Sequence, residues 1–201
     1  NTLCRFIMVK YLKGFIEQYP HIKITIESQP TTQTLSMLEQ QRIDIGLVVE
    51  QKSSRNMNFI PVMDIEDIFV ATPSYLENLR LREGADTNVF QIGNLMLLDK
   101  NNMTRQYIDD YLQENQIEVA DTIDISNMDL LIDFAKIGVG VACVIKSFVA
   151  KELAEGTLIE IPLGIPIHER EVGFAYKETV NPSNSLLEFV DFFKSYSPED
   201  N

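Results

Sequence analysis

Apolar side chains return every fourth position at Leu3, Ile7, Tyr11, Phe15 and Tyr19, which predicts an amphipathic helix over 3–19, closed by Pro20. The rhythm then changes. In HIKITIES, Ile22, Ile24 and Ile26 alternate with polar residues, the period of a strand. PTTQTLSMLEQQ returns to helical spacing behind Thr31 or Thr32 as the cap, and RIDIGLVV runs from a charged start into an apolar strand. NFIPVMD, DIFVATP and NLMLLD predict three further strands, followed by a helix over 103–115 and a strand in EVADTIDI. VACVI, a helix over 146–154, LIEIPL, REVGFAYK and a last helix from Ser183 to Tyr196 complete the series.

The stretch from Ser126 to Ile145, SNMDLLIDFAKIGVGVACVI, packs a whole helix-to-strand passage into one line. Ser126 is read as the cap, and Asp129, three residues later, completes a capping-box-like pair. Gly138 then ends the helix where a left-handed residue is wanted, and an apolar run follows. Strands alternating with helices along the chain predict an α/β fold with mostly parallel sheets. No repeat, low-complexity tract or long linker interrupts the pattern. A division into two lobes must therefore come from strands that cross between them.

Charge changes the picture. Of 201 residues, 17 are basic and 30 acidic, a net charge of −13. A surface that acidic repels phosphate backbones, which argues against DNA binding by this chain alone. No apolar run reaches the ~18 residues of a membrane helix, and no signal-peptide pattern opens the chain, so neither membrane insertion nor secretion is expected. Cys4 and Cys143 are far apart in apolar surroundings and read as buried thiols of a reducing, cytoplasmic compartment.

Candidate chemistry is sparse. His21 and His168 have no cysteine or second histidine at metal-ligand spacing, so no metal site is expected. No nucleophile elbow, P-loop or dinucleotide fingerprint occurs; GVG at 138–140 lacks the third glycine. The adjacent acids Glu66-Asp67 and Asp109-Asp110 point in different directions on a strand or helix and read as surface charge. Neither a catalytic set nor a cofactor is expected. What remains is short polar residues at helix starts: Thr2, then Thr31 and Thr32, then Asn101, Asn102 and Thr104, then Ser126 and Asn127. Plain capping explains each one singly. Together they suit a small anionic or polar ligand, because helix starts converge beyond the carboxyl ends of the strands in α/β sheets.

The order of the pieces resembles the effector-binding domain of LysR-type transcriptional regulators along essentially the whole chain. The pieces are FIEQYPHIKITIES, LEQQRIDIGLV with Asp44, DIFVATPSYL, NNMTRQYIDDYL with Arg105, MDLLIDFAKIGVGVACVIKS, LAEGTLIEIPL and LLEFVDFF. The resemblance implies a two-lobed, type 2 periplasmic-binding-protein-like α/β fold with two crossover strands. Lobe I is expected at 1–66 plus 167–201 and lobe II at 67–166. It also implies a small-molecule effector held between the lobes, a homodimer or tetramer, and DNA contact only through an N-terminal winged helix-turn-helix domain that this chain lacks. Carried over residue by residue, effector contacts fall on Thr2 and Leu3, on Thr31 and Thr32, and on Asn102, Met103, Ser126 and Asn127. Lys100 and Arg105 are the cations near those loops. Two departures stand out: Pro30 replaces a common glycine beside Thr31, and Lys146 a usual proline. The family's first strand would end just before Asn1, so the lobe I sheet is expected to lack a central strand. A secreted solute-binding protein of a transport system shares the fold and is the alternative reading; an enzyme on this fold would need the catalytic set that is not seen.

Overall fold

The computed structural model describes residues 2–50, 56–84, 88–179 and 181–196. In chain order its first elements are α1 (Thr2–Gln18), α2 (Thr31–Glu39), β1 (Gly46–Val49), β2 (Met57–Ile65), β3 (Asp67–Ala71), α3 (Pro73–Glu83), α4 (Val89–Ile92) and β4 (Asn94–Leu98). Then come α5 (Met103–Glu114), β5 (Asp121–Ile125), α6 (Met128–Lys136), β6 (Val141–Ile145), α7 (Ala150–Glu155), β7 (Ile159–Glu160), β8 (Arg170–Lys177) and α8 (Asn184–Ser195). They form two compact units, Asn1–Asp64 with Arg170–Asn201, and Ile65–Glu169.

The first unit has a three-stranded sheet in the order β1-β8-β2, with β1 antiparallel to β8. Phe174 and Ala175 are neighbours on β8, so the pleat sends them to opposite faces. Phe174 joins Leu12 and Phe15 of α1 and Phe189 and Phe193 of α8 in one apolar cluster. Ala175 joins Leu38 of α2 and Val48 of β1 in another. The aromatic cluster is dense: the Phe189 and Phe193 rings lie 4.1 Å apart and those of Phe174 and Phe193 4.6 Å apart.

In the second unit the sheet order is β5-β4-β6-β3-β7. β4 runs parallel to β5 and β6, whereas β3 runs antiparallel to β6 and β7, so the sheets are mixed and not mostly parallel. Leu95 and Leu97 of β4 share a buried cluster with Ile108, Tyr111 and Leu112 of α5. The intervening Met96 is fully buried on the opposite face, where α6 packs across β3, β4, β5 and β6.

Three expectations from the sequence are corrected. HIKITIES is not a strand: 22–29 has no regular secondary structure, because no neighbour among the described residues pairs with it. The helix over 146–154 is a 3-10 turn at Lys146–Val149 followed by the short α7. Two helices, α3 and α4, have no counterpart in the apolar pattern, since each buries one side chain, Leu79 and Phe90. Their starts were nonetheless marked. The Thr72 hydroxyl accepts from the Tyr75 amide at 3.2 Å ahead of Pro73, and Asn88 caps α4.

The glycines after α6 do what their positions require. Gly138 has φ 77°, and its amide and that of Val139 return to the carbonyls of Ala135 and Phe134, a Schellman ending. At Gly140 a Cβ would sit 2.4 Å from the Asn94 carbonyl oxygen, so only glycine lets β6 close on β4 there.

Candidate functional site

In the second unit, β4 and β5 are parallel and end together, Leu98 opposite Ile125. Each strand feeds a helix. β4 leads through Asp99–Asn102 into α5, and β5 leads through Ser126 and Asn127 into α6. Two helix starts therefore stand at the carboxyl ends of adjacent parallel strands, the place where α/β sheets present free amides and positive helix ends to a ligand. Four of the eight residues expected to contact an effector lie here: Asn102, Met103, Ser126 and Asn127.

Their geometry separates the roles. The Asp99 amide donates to the Ile125 carbonyl at 3.1 Å, tying the two loops together, and the Asp99 carboxylate accepts from the Asn101 amide at 3.1 Å. Asn102 Oδ1 accepts from the Thr104 amide at 2.9 Å, which makes Asn102 the cap of α5. Asn127 Oδ1 accepts from the Leu130 amide at 3.0 Å, which makes Asn127 the cap of α6. Ser126 is thus not the cap, and Asp129 stands two positions after the cap, not three, so no capping box of the expected kind forms. The reason is local: Asn127 is the residue with extended backbone, φ −153° and ψ 161°, before the helical turn begins at Met128. The exposed Ser126 hydroxyl receives only a long 3.4 Å contact from Asn127 Nδ2.

Arg105 is not a cation facing this edge. It is 4% exposed, donating to the Leu98 carbonyl at 2.9 Å, to Asp109 at 2.8 Å and to Asp124 at 2.5 Å. Burial pulls its pKa down, but the hydrogen bonds and charges of Asp124 and Asp109 outweigh it and the net shift is upward. It therefore clamps the end of β4, β5 and the first turns of α5. Lys100 is exposed on the loop between them.

The other expected contacts lie in the first unit. Thr2 and Leu3 open α1, and their side chains lie outside the described residues. Thr31 and Thr32 are the first two residues of α2 but cap nothing: the N-cap is Pro30, φ −59° and ψ 150°, which has no side-chain acceptor. The nearby Thr34 hydroxyl donates to the Pro30 carbonyl at 3.2 Å. This unit also holds a groove of about 370 Å³ lined by Ile22–Gln29, Ile43–Leu47 and side chains of α1, α2 and α8; none of the eight expected residues lines it. Among the described residues no group of three or more His, Cys, Asp or Glu is arranged to hold a metal, and no helix is long and apolar enough to cross a membrane. Cys143 is a buried thiol of β6, outside any disulfide; the side chain of Cys4 lies outside the described residues.

The regulatory domain of Synechocystis PCC6803 CcmR in complex with 2-PG has the same fold, with a TM-score of 0.77 at 15% identity over 96% of this chain and 91% of that one. So does the effector-binding domain of QuiR in complex with shikimate, with a TM-score of 0.74 at 15% identity and the same coverage of 96% and 91%. By sequence the chain is 19% identical over 192 residues to the uncharacterized HTH-type transcriptional regulator YeiE of Escherichia coli K12, covering 96% of this chain and 64% of that regulator. The chain thus spans about two thirds of the length of the curated regulators it matches. The model of the LysR substrate binding domain matches residues 1–198, and the chain belongs to that family.

Proposed function

We propose that this chain is the effector-sensing and dimerisation domain of a cytoplasmic LysR-type transcriptional regulator, that it performs no catalysis, and that DNA contact is made by an N-terminal helix-turn-helix domain of the full-length protein. The family match over residues 1–198 carries the reading. The relatives matched are transcriptional regulators and not solute-binding proteins of transport systems, and two structural neighbours hold small molecules, 2-PG and shikimate. In this reading the first unit corresponds to lobe I (1–66 with 167–201) and the second to lobe II (67–166).

The effector contacts proposed in the second unit are the α5 and α6 starts, with Asn102, Met103, Ser126 and Asn127. Those proposed in the first unit are Thr2, Leu3, Thr31 and Thr32. A thermal-shift screen against small metabolites tests the reading, because a ligand at ~100 times its dissociation constant adds ~2.7 kcal/mol of stability. Ser126 makes the residue-level test clean, since its hydroxyl caps nothing. With an effector in hand, Ser126→Ala should weaken calorimetric affinity by ~0.5–1.5 kcal/mol while leaving the denaturant midpoint in place. Unchanged affinity in Ser126→Ala, Asn102→Ala and Thr31→Ala together would remove the effector from these helix starts.

Self-association is proposed from the exposed apolar side chains. Val9 and Ile16, two turns apart on α1, are 67% and 51% exposed. In the second unit Leu130 on α6 and Ile137 just after it are 41% and 74% exposed, also seven residues apart. Exposed apolar pairs at this spacing suit burial against a second subunit. In the proposed dimer the stripe of one subunit's first unit meets that of the other subunit's second unit. Sedimentation over a concentration series should show dimers or tetramers, and Val9→Lys or Ile137→Lys should shift them to monomer. A wild-type chain that stays monomeric at the highest concentration sinks this part of the reading.

A further inference from the structure

Lys146 departs from the proline expected at its position, and it sits beside the passage of the chain from one unit to the other. The chain leaves the first unit at Asp64 and enters the second at Ile65. Glu66, the residue between β2 and β3, comes next. Opposite it, β6 ends at Ile145, which is paired with Asp67. The Lys146 amide donates to the Glu66 carbonyl at 2.9 Å and so extends that antiparallel ladder by one rung. A proline has no such donor. The Lys146 ammonium returns to the same residue, 3.0 Å from the Glu66 carboxylate, and reaches Glu160 at the end of β7 at 3.3 Å. One residue therefore joins the start of β3, the end of β6 and the end of the two-residue strand β7. The bond to Glu66 raises the Lys146 pKa above the ordinary lysine value, so the ammonium keeps its charge through neutral and mildly basic pH.

We propose that Lys146 is an electrostatic pin on this passage. It fixes Glu66 to the second unit through main chain and side chain together, so bending of the connection falls before Glu66 and its stiffness varies with ionic strength. The exposures decide the last point. The Lys146, Glu66 and Glu160 side chains are 40%, 39% and 42% exposed, open enough for salt to screen their charges. The main-chain bond carries no net charge, so salt loosens the joint without releasing it. Two carboxylates share the one ammonium. Removing that ammonium leaves two like charges near each other, which adds repulsion to the lost attraction. The inference is independent of the proposed effector contacts, none of which takes part in the pin.

The test is amide hydrogen exchange of the parent chain, Lys146→Met and Lys146→Arg, at low salt and at ~1 M salt, where the screening length falls to ~3 Å. Protection at residues 66–68 and 146 is read relative to Leu95–Leu98 of β4, which serve as the internal reference. In the parent, high salt should lower protection at the joint by about two- to fivefold relative to β4, the range of an exposed ion pair. Lys146→Met should show that loss already at low salt and respond no further as salt rises. Lys146→Arg keeps the cation and should keep the salt response. Unchanged protection at the joint in Lys146→Met overturns the inference, as does a parent whose joint ignores salt. A loss in Lys146→Met that spreads equally over β4 also overturns it, because the lysine then stabilises the unit as a whole and pins nothing. An arginine variant that behaves like the methionine one does the same, since charge is then not what holds Glu66.

Discussion

At the scale of single residues, Arg105 decides how the second unit's polar edge is held. Its guanidinium is 4% exposed and joins the Leu98 carbonyl, Asp109 and Asp124, while both carboxylates remain partly open to solvent. Replacing it by methionine keeps the packing but strands a buried carbonyl and two acids. A loss of ~1–3 kcal/mol in the denaturant midpoint is expected, with Arg105→Lys restoring only part of it, because one ammonium cannot reproduce the planar fork. The caps separate in the same way. Asn127→Ala should cost ~1 kcal/mol, whereas Ser126→Ala and Thr31→Ala should stay within ~0.5 kcal/mol in the absence of ligand. If Ser126→Ala costs as much as Asn127→Ala, the assignment of the cap is wrong. A polar helix start was legible in SN at 126–127, but which of two adjacent capping types takes the role depends on where the backbone turns, and composition does not record that. Pro30 was the visible warning at Thr31: a proline N-cap gives the helix no side-chain acceptor.

At the scale of elements, the second unit is tied together by side chains that reach across it. From α5, Tyr107 donates to the His168 carbonyl at 3.0 Å and Tyr111 to the Ile165 carbonyl. Burial raises the Tyr111 pKa above the ordinary phenol value, so it stays a donor through neutral and mildly basic pH. Tyr107→Phe and Tyr111→Phe should each cost ~1 kcal/mol, with faster amide exchange near residues 165–169; unchanged exchange there would show that the tyrosines do not fix this segment. Lys136 at the end of α6 meets Glu152 of α7 at 2.9 Å. The hydrogen bond from Lys136 holds the Glu152 carboxyl below its ordinary value, and the bond to Glu152 raises Lys136. The Glu152 contribution is therefore present above its unfolded pKa and is lost as pH falls through the folded one; the Lys136 contribution is lost as pH rises through its own raised value. Glu152→Gln should flatten the acid side of the stability curve, below the ordinary carboxylate pKa, while costing less than ~1 kcal/mol at neutral pH. A variant with the same acid slope as the parent would remove the pair from the account. Long amphipathic elements such as α1, α6 and α8 were readable because each buries a repeating apolar face. The segment 22–29 shows the limit of periodicity: its alternation is that of a strand, but a strand exists only where a neighbour pairs with it.

At the scale of the molecule, the order of the pieces pointed to the fold before any one of them was secure, since two α/β units emerge from a chain with no linker to announce them. Strand direction was less legible. An alternation of helices and strands suggests parallel pairing, yet β1 pairs antiparallel with β8, and β3 with β6, because those partners return from distant parts of the chain. The proposed effector contacts rest on a set of helix starts alone, for no charged cluster among the described residues marks them and the buried Arg105 nearby is spent on the scaffold. Net charge is the whole-molecule property with the plainest consequence. At −13 the chain repels a phosphate backbone, and each contact it could make would need lysines or arginines that are outnumbered 17 to 30 by acids. We expect duplex DNA to bind this chain no better than the weak, sequence-independent level, near or above ~10⁻⁴ M at physiological salt, with little dependence on added salt because few counterions would be released. Fluorescence anisotropy with a labelled duplex at two salt concentrations measures both quantities. Submicromolar affinity that collapses as salt rises would reveal a basic surface at odds with the charge balance, and would move DNA recognition into this domain.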